Sequence, residues 1–269
     1  EGNKSDEEKV TEVRSIVKSI DFCPNITYRI SDKNNGAEVT VSSAISWVLE
    51  KEEYVIVMED DIIAHESFFR FMQDMLERYK DDSRVAMVSG CNYTPMPFPD
   101  GEDYCFCQSG HTCGWATWGR VWKDYDLFDE IKDEYLDDDF LISVSANKKI
   151  AMHRKESYQK MKENGCNNNW DVMFAYYRTT RRLLSIVPRS HLTSNIGIYG
   201  LHQNGVTNAN YRTIDEDFVA VHHPDDVVWY KDYDAYHYHV WKERTLWKRI
   251  KGRLSRARNI WKIFRKSKG

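Results

Sequence analysis

The amino-acid sequence predicts an α/β protein built on an open, mostly parallel, twisted sheet flanked by helices. Three observations carry this. Segments with apolar residues at helical spacing alternate with short apolar runs. The runs Tyr54–Met58 and Val85–Ser89 are continuous rather than alternating, as in strands covered on both faces. No internal repeat or low-complexity linker interrupts the alternation.

In chain order, Val10, Val13, Ile16, Val17 and Ile20 give a first helix over 7–20, and Ile26–Ile30 reads as a short strand. Asn34-Asn35-Gly36 marks a turn before a helix over Val39–Leu49. Tyr54–Met58 is the next strand. His65–Tyr79 is a helix that buries Phe68, Phe69, Met72, Met75 and Leu76, and Val85–Ser89 is a further strand. Cys91–Asp126 holds three of the six prolines with many aromatic residues, which predicts recognition loops and a short helix over Trp115–Trp122. Residues 126–165 read as largely helical and Asn168–Arg181 as another helix, while Leu184–Val187 and His191–Thr193 read as short strands. In such a sheet, connections are right-handed and ligands gather beyond the C-terminal strand ends. Glu59-Asp60-Asp61 follows one such end.

Composition narrows the class. At 269 residues and 41% hydrophobic content the chain can bury a substantial core. No apolar run approaches the ~20 residues of a membrane helix. The net charge of -4 is unevenly spread, because from Lys242 onward Glu243 is the only acid among a dozen Lys and Arg. That stretch also carries Leu246, Trp247, Ile250, Leu254, Ile260, Trp261, Ile263 and Phe264, as in an amphipathic helix lying on an anionic membrane surface through 243–269. A solvated, frayed terminal helix is the other reading. No nucleic acid partner is expected. The six cysteines are unevenly spaced in a chain that needs no staples, which favours a reducing compartment.

Three consecutive acids after a buried strand repel one another, and a divalent cation would relieve this. Mg²⁺ or Mn²⁺ commonly bridges one or two carboxylates to substrate phosphates. A solvated acidic turn ahead of the following helix explains the same triplet. Asp171 opens the predicted helix after Asn167-Asn168-Asn169. It is either a carboxylate able to take a proton or a helix N-terminal acid favoured by the macrodipole. Trp115 and Trp118 stand three apart, as on one helical face, where rings stack on sugars or fill a core. Gly114 would admit a close backbone approach to a ligand, and Gly114 and Trp115 are the residues expected to touch substrate. Asp32-Lys33-Asn34-Asn35-Gly36 opens a helix whose N–H groups can meet a phosphate, or it is simply a turn. Cys105, Cys107, His111 and Cys113 supply enough zinc ligands, but not at a usual structural spacing.

Taken in order, several segments resemble a bacterial family of nucleotide-diphospho-sugar transferases with a GT-A-type fold. They are Val57-Met58-Glu59-Asp60-Asp61, Phe68-Phe69, Val88-Ser89-Gly90, His111-Thr112-Cys113-Gly114-Trp115-Ala116-Thr117-Trp118, Asn169-Trp170-Asp171, Leu184–Pro188 and Ser194-Asn195-Ile196-Gly197. The order of acidic triplet, Gly-Trp segment and Trp-Asp pair is more distantly similar to N-acetylglucosaminyltransferase I. The resemblance spans roughly residues 1–208. It implies a metal-dependent inverting glycosyltransferase that uses a nucleotide diphosphate sugar donor, a glycan or lipid-linked acceptor, and Mn²⁺ or Mg²⁺. Asp171 would be the general base and Asp61 the direct metal ligand. Glu59 and Asp60 would meet the donor, with Asp32 and Asn34 beside it, and Gly114, Trp115 and Trp170 would form the acceptor side. His202 would be a second metal ligand, although this chain lacks the acidic residue and Thr-His usual there.

The expected organisation is a GT-A-like domain over 1–215, with a donor-binding half at 1–90 and an acceptor and catalytic half at 91–215. A linker and aromatic segment at 216–241 and a basic helical tail at 242–269 would follow. Glu1-Gly2 aligns with an Asp-Gly pair that follows the family's second strand, so a strand, helix and strand are expected to precede this chain in a longer protein. The expected location is the cytoplasm, at the inner face of the cell membrane if the tail engages it. Two rival functions remain: a non-catalytic glycan-binding or scaffold protein that keeps the fold, and a metal-dependent hydrolase.

Overall fold

The computed structural model describes residues 4–94, 96–98, 101–164, 169–197, 199–200, 203–204, 213–240 and 242. It is α/β, with a five-stranded mixed sheet flanked by helices. Two helices come first, α1 (Lys4–Lys18) and α2 (Ala37–Leu49), then strands β1 (Tyr54–Val57) and β2 (Ile62–Ala64), helix α3 (Glu66–Arg78) and strand β3 (Val85–Ser89). Next come β4 (Tyr104–Cys107), β5 (Trp115–Trp118), the single turn α4 (Gly119–Trp122), α5 (Asp138–Ser143), α6 (Lys148–Glu163) and α7 (Trp170–Thr180). Strands β6 (Leu184–Pro188) and β7 (Thr193–Asn195) follow, then a two-residue pair, β8 (Tyr199–Gly200) with β9 (Gln203–Asn204).

Helix α3 shows why these residues form these elements. Phe68, Phe71, Met72, Met75 and Leu76 fall at the i, i+3, i+4, i+7, i+8 positions of one stripe, and all are buried. Each contributes on the order of 1.5–3 kcal/mol of apolar burial. Phe69, expected inside, is 46% exposed, because it lies one step off that stripe.

The sheet runs in the order β1-β5-β3-β6-β4. The expectation of a mostly parallel sheet is corrected: only β3 and β6 pair in parallel, and the β1–β5, β3–β5 and β4–β6 pairs are antiparallel. The reason lies in the aromatic stretch expected as loops, which supplies β4 and β5. Strand β5 inserts between β1 and β3 and β4 adds at the edge beside β6, each antiparallel to its neighbours, and continuous burial does not reveal strand direction. The helix expected over Trp115–Trp122 is likewise half strand, with only Gly119–Trp122 helical. Ile26–Ile30, expected as a strand, is irregular and largely exposed.

Residues 216–240 pack on this core rather than bridging away from it. Phe218 is buried against Phe71, the Asp103 carboxylate accepts the Val221 and His222 N–H groups, and Trp229 bridges to Phe106. Residues 231–240 are helical and bury Tyr233 with Cys105, Cys107 and Val187 in a small second cluster. The basic segment 243–269 lies outside the described residues. Among the described residues no helix is long and apolar enough to cross a membrane.

Candidate functional site

Strand β1 delivers Glu59, Asp60 and Asp61 just beyond its C-terminal end. Strand β5 runs the other way between β1 and β3, so Trp115 lies opposite both Val57 and Ser89 at that same end of the sheet. The Trp115 indole stacks on Trp170, with centroids 5.4 Å apart and planes 19° from parallel. Asp171 is the next residue, in the first turn of α7. Strand pairing and one aromatic stack thus carry Asp171 toward the acids. The electrostatics register this: burial, then Asp61, Asp171 and Asp60, push the Glu59 carboxyl above its usual range.

Asp61 is held by its backbone and crowded at its side chain. Its carbonyl accepts the Ile196 N–H at 2.8 Å, in line with the antiparallel pairing of β2 with β7. A Cβ added to Gly197 would lie 2.4 Å from Asp61 Oδ2, so only glycine leaves room for this carboxylate. Asp61 Oδ1 is buried and has no hydrogen-bond partner in the protein. A buried, unpaired carboxylate oxygen is costly, and a hard cation is a natural partner for it. Among the described residues no group of three His, Cys, Asp or Glu side chains is arranged to hold a metal ion. His202 lies outside the described residues. A cation of the Mg²⁺ or Mn²⁺ type needs only one or two protein carboxylates and completes its shell with phosphate oxygens and water.

Asp171 is exposed, and its Oδ1 accepts the Val172 N–H at 2.9 Å. An acid in the first turn of α7 is favourable to the helix dipole. Tyr125 anchors this turn by donating to the Trp170 carbonyl at 2.9 Å. Asp171, Ala175 and Arg178, spaced four and three apart, share one face of α7 and line a cleft of about 370 Å³. The opposite walls are residues 108–113 and helix α6. Residues 108–113 run across the sheet face, so close that a Cβ on Gly110 would lie 2.8 Å from Ser185 Oγ.

No protein-family model and no curated protein matches this sequence. The site therefore stands on its own geometry.

Three residues expected on the acceptor side are enclosed by protein in the structure. The Trp115 ring is fully buried among Trp122, Trp170 and Phe174, so no sugar can stack on it. Trp170 is 7% exposed and serves as the other half of the stack. Gly114 is buried at φ 75°, and a Cβ there would meet Thr193 and Phe68. Its missing side chain leaves room for Thr193 and Phe68. Asn34 closes a tight turn by accepting the Gly36 N–H at 2.9 Å, just ahead of α2. Among the described residues neither Asp32 nor Asn34 makes a hydrogen bond or ion pair with the acidic triplet.

The cysteines of the zinc-like pattern are split. Cys105 and Cys107 lie buried on β4, whereas Cys113 lines the cleft. Hydrogen bonding from Cys91, helped by Tyr93, pulls the Cys113 thiol below its usual pKa, against burial and the charges of Glu59 and Asp61. Sequence reasoning passed over Arg154, Arg178 and His237, which also line the cleft. A spacing signal existed for one of them, because Arg178 follows Asp171 by two helical turns.

Proposed function

We propose that this chain is a metal-dependent, inverting glycosyltransferase, and that its α/β fold is of the GT-A kind. The donor is a nucleotide diphosphate sugar and the acceptor a glycan or lipid-linked hydroxyl. The observation that best supports this is the unpartnered, buried Asp61 oxygen lying in an acidic cluster that includes Asp171 in its electrostatic reach.

Asp61 would hold Mn²⁺ or Mg²⁺, with Glu59 and Asp60 facing the donor. The bound cation would supply charge neutralisation for the departing nucleotide diphosphate. Asp171 would accept the acceptor hydroxyl proton as that oxygen bonds to the anomeric carbon. The bond from that carbon to the diphosphate breaks with its electron pair leaving on the phosphate oxygen, which inverts the configuration. Trp115, Trp170 and Tyr125 act as positioning residues for Asp171.

Calorimetry with a panel of nucleotide diphosphate sugars and Mn²⁺ tests the reading. Donor binding that requires both the metal and Asp61 is expected. Metal-independent binding, or no donor heat with any sugar, would reject it, and binding of glycan alone would leave a glycan-binding module instead.

A further inference from the structure

The cleft that begins at Asp171 changes character along its length. At its far end stand two guanidinium groups. Arg178 is 4% exposed, and its Nη1 donates to Ser185 Oγ and, at 3.2 Å, to the Gln108 carbonyl. Its Nε is buried with no hydrogen-bond partner. Arg154, on α6, donates to Gln108 Oε1 at 2.7 Å, to Ser145 Oγ at 3.0 Å and to the Val144 carbonyl. All these acceptors are neutral. Among the described residues neither Arg154 nor Arg178 forms an ion pair with a carboxylate.

Buried charges are usually paired, because taking an ion out of water costs several kcal/mol unless a counter-charge replaces the solvent. Asp234 is the one carboxylate whose charge reaches Arg178 measurably, and its oxygens are engaged. Oδ2 accepts the Gln108 N–H and the Trp229 indole N–H, and Oδ1 accepts the Ser109 N–H. Burial is the main reason the Arg178 guanidinium is pulled down to about 10, with Cys107 and then Asp234 only partly offsetting it. More positive charge surrounds the same wall. His153 feels Lys242, Lys160 and Arg154, with Glu156 opposing. His111 and His237, whose Nε2 atoms share a hydrogen bond at 3.1 Å, complete this part of the lining.

We infer that this end of the cleft binds an oxyanion, phosphate or carboxylate, borne by the acceptor, with Arg154 and Arg178 supplying its counter-charge. Along α7, Arg178 stands seven residues and so about 10 Å from Asp171. The body of an acceptor sugar spans that gap, with its hydroxyl at Asp171 and its anionic group at the arginines. The volume suits one sugar-sized group better than an extended neutral chain. The acceptor assignment rests on Asp171 being the base; the oxyanion site itself rests on the arginines.

The test is calorimetry on the whole chain in EDTA, which removes any metal-dependent phosphate binding at Asp61. Inorganic phosphate, glucuronate and glucose are the probes. The expected result is heat from phosphate or glucuronate, none from glucose, and an affinity at least tenfold weaker in Arg154→Gln. Which anion binds tighter separates a phosphate-bearing acceptor from a uronic-acid one. Arg154 is half-buried and its replacement keeps neutral hydrogen bonding, while Arg178→Lys, which retains the charge, should bind more like the parent. No anion binding, equal binding of glucose and glucuronate, or an unchanged affinity in Arg154→Gln would overturn the inference. Metal-dependent donor binding is measured separately, so loss of one result does not decide the other.

Discussion

The indoles of Trp115 and Trp170 lie stacked 5.4 Å apart, and this contact joins the middle of the sheet to the helix that carries Asp171. Trp115 is fixed on its other edges by backbone pairing with Val57 and Ser89. Any change that loosens the stack should move Asp171 relative to Glu59 and Asp61 before it unfolds the sheet.

Replacement of the stack is the first prediction. Trp115→Ala should cost about 3–5 kcal/mol in urea unfolding, as expected for a large buried ring. Trp170→Phe should cost less, because an aromatic ring remains against Trp115. Equal, small effects of both would show that the stack does not hold α7 in place.

For the base, Asp171→Asn should lower sugar transfer by about 10²- to 10⁴-fold while leaving donor and metal affinity near the parent values. The side chain is exposed, so the variant should fold as the parent does, which circular dichroism would verify. Unchanged turnover would remove Asp171 from the chemistry.

Gly197→Ala probes the Asp61 pocket without touching an acid. The new methyl group would lie 2.4 Å from Asp61 Oδ2, so the carboxylate must swing away. Thermal stabilisation by Mn²⁺ plus nucleotide diphosphate should fall as far as in Asp61→Ala. Full stabilisation in the variant would mean that Asp61 does not bind the metal in the position seen.

Cys113 should be the cleft's reactive thiol. It is partly exposed with a lowered pKa, whereas burial raises Cys91 and Cys107. Limited alkylation followed by peptide mass analysis should label Cys113 and the exposed Cys23 well before Cys91, Cys105 or Cys107. Phosphate or glucuronate at saturating concentration should slow labelling at Cys113 only.

His153 predicts a pH dependence whose sign follows from its lowered pKa, caused first by burial and then by Lys242, with Glu156 opposing and Lys160 and Arg154 adding to it. An unfolded imidazole titrates near about 6.5. Below that pH the unfolded chain takes up a proton that the folded chain resists. The stability this group contributes is therefore present above about pH 6.5 and is lost as pH falls toward the folded value. His153→Gln should flatten the fall of the unfolding midpoint below about pH 6.5; an unaltered slope would assign the acid sensitivity elsewhere.

Several elements were legible from local pattern alone. The buried stripe Phe68, Phe71, Met72, Met75 and Leu76 gives α3, the continuous run Val85–Ser89 gives β3, and the acids after Val57 lie just past a strand end. These depend on residues close in sequence, and periodicity reads such neighbours directly. Strand direction and side-chain partnership depend on residues far apart. Trp115 reads locally as a helical, exposed ring, yet pairing with Val57 and Ser89 makes it a central strand residue with no free face. Only the tertiary structure sets Asp171 in the electrostatic reach of Glu59, and only it gathers Arg154, Arg178 and His237 from three separate segments around one cleft. The physical reason is that long-range packing, rather than local propensity, decides which charges share a low-dielectric space and which go without a counter-charge.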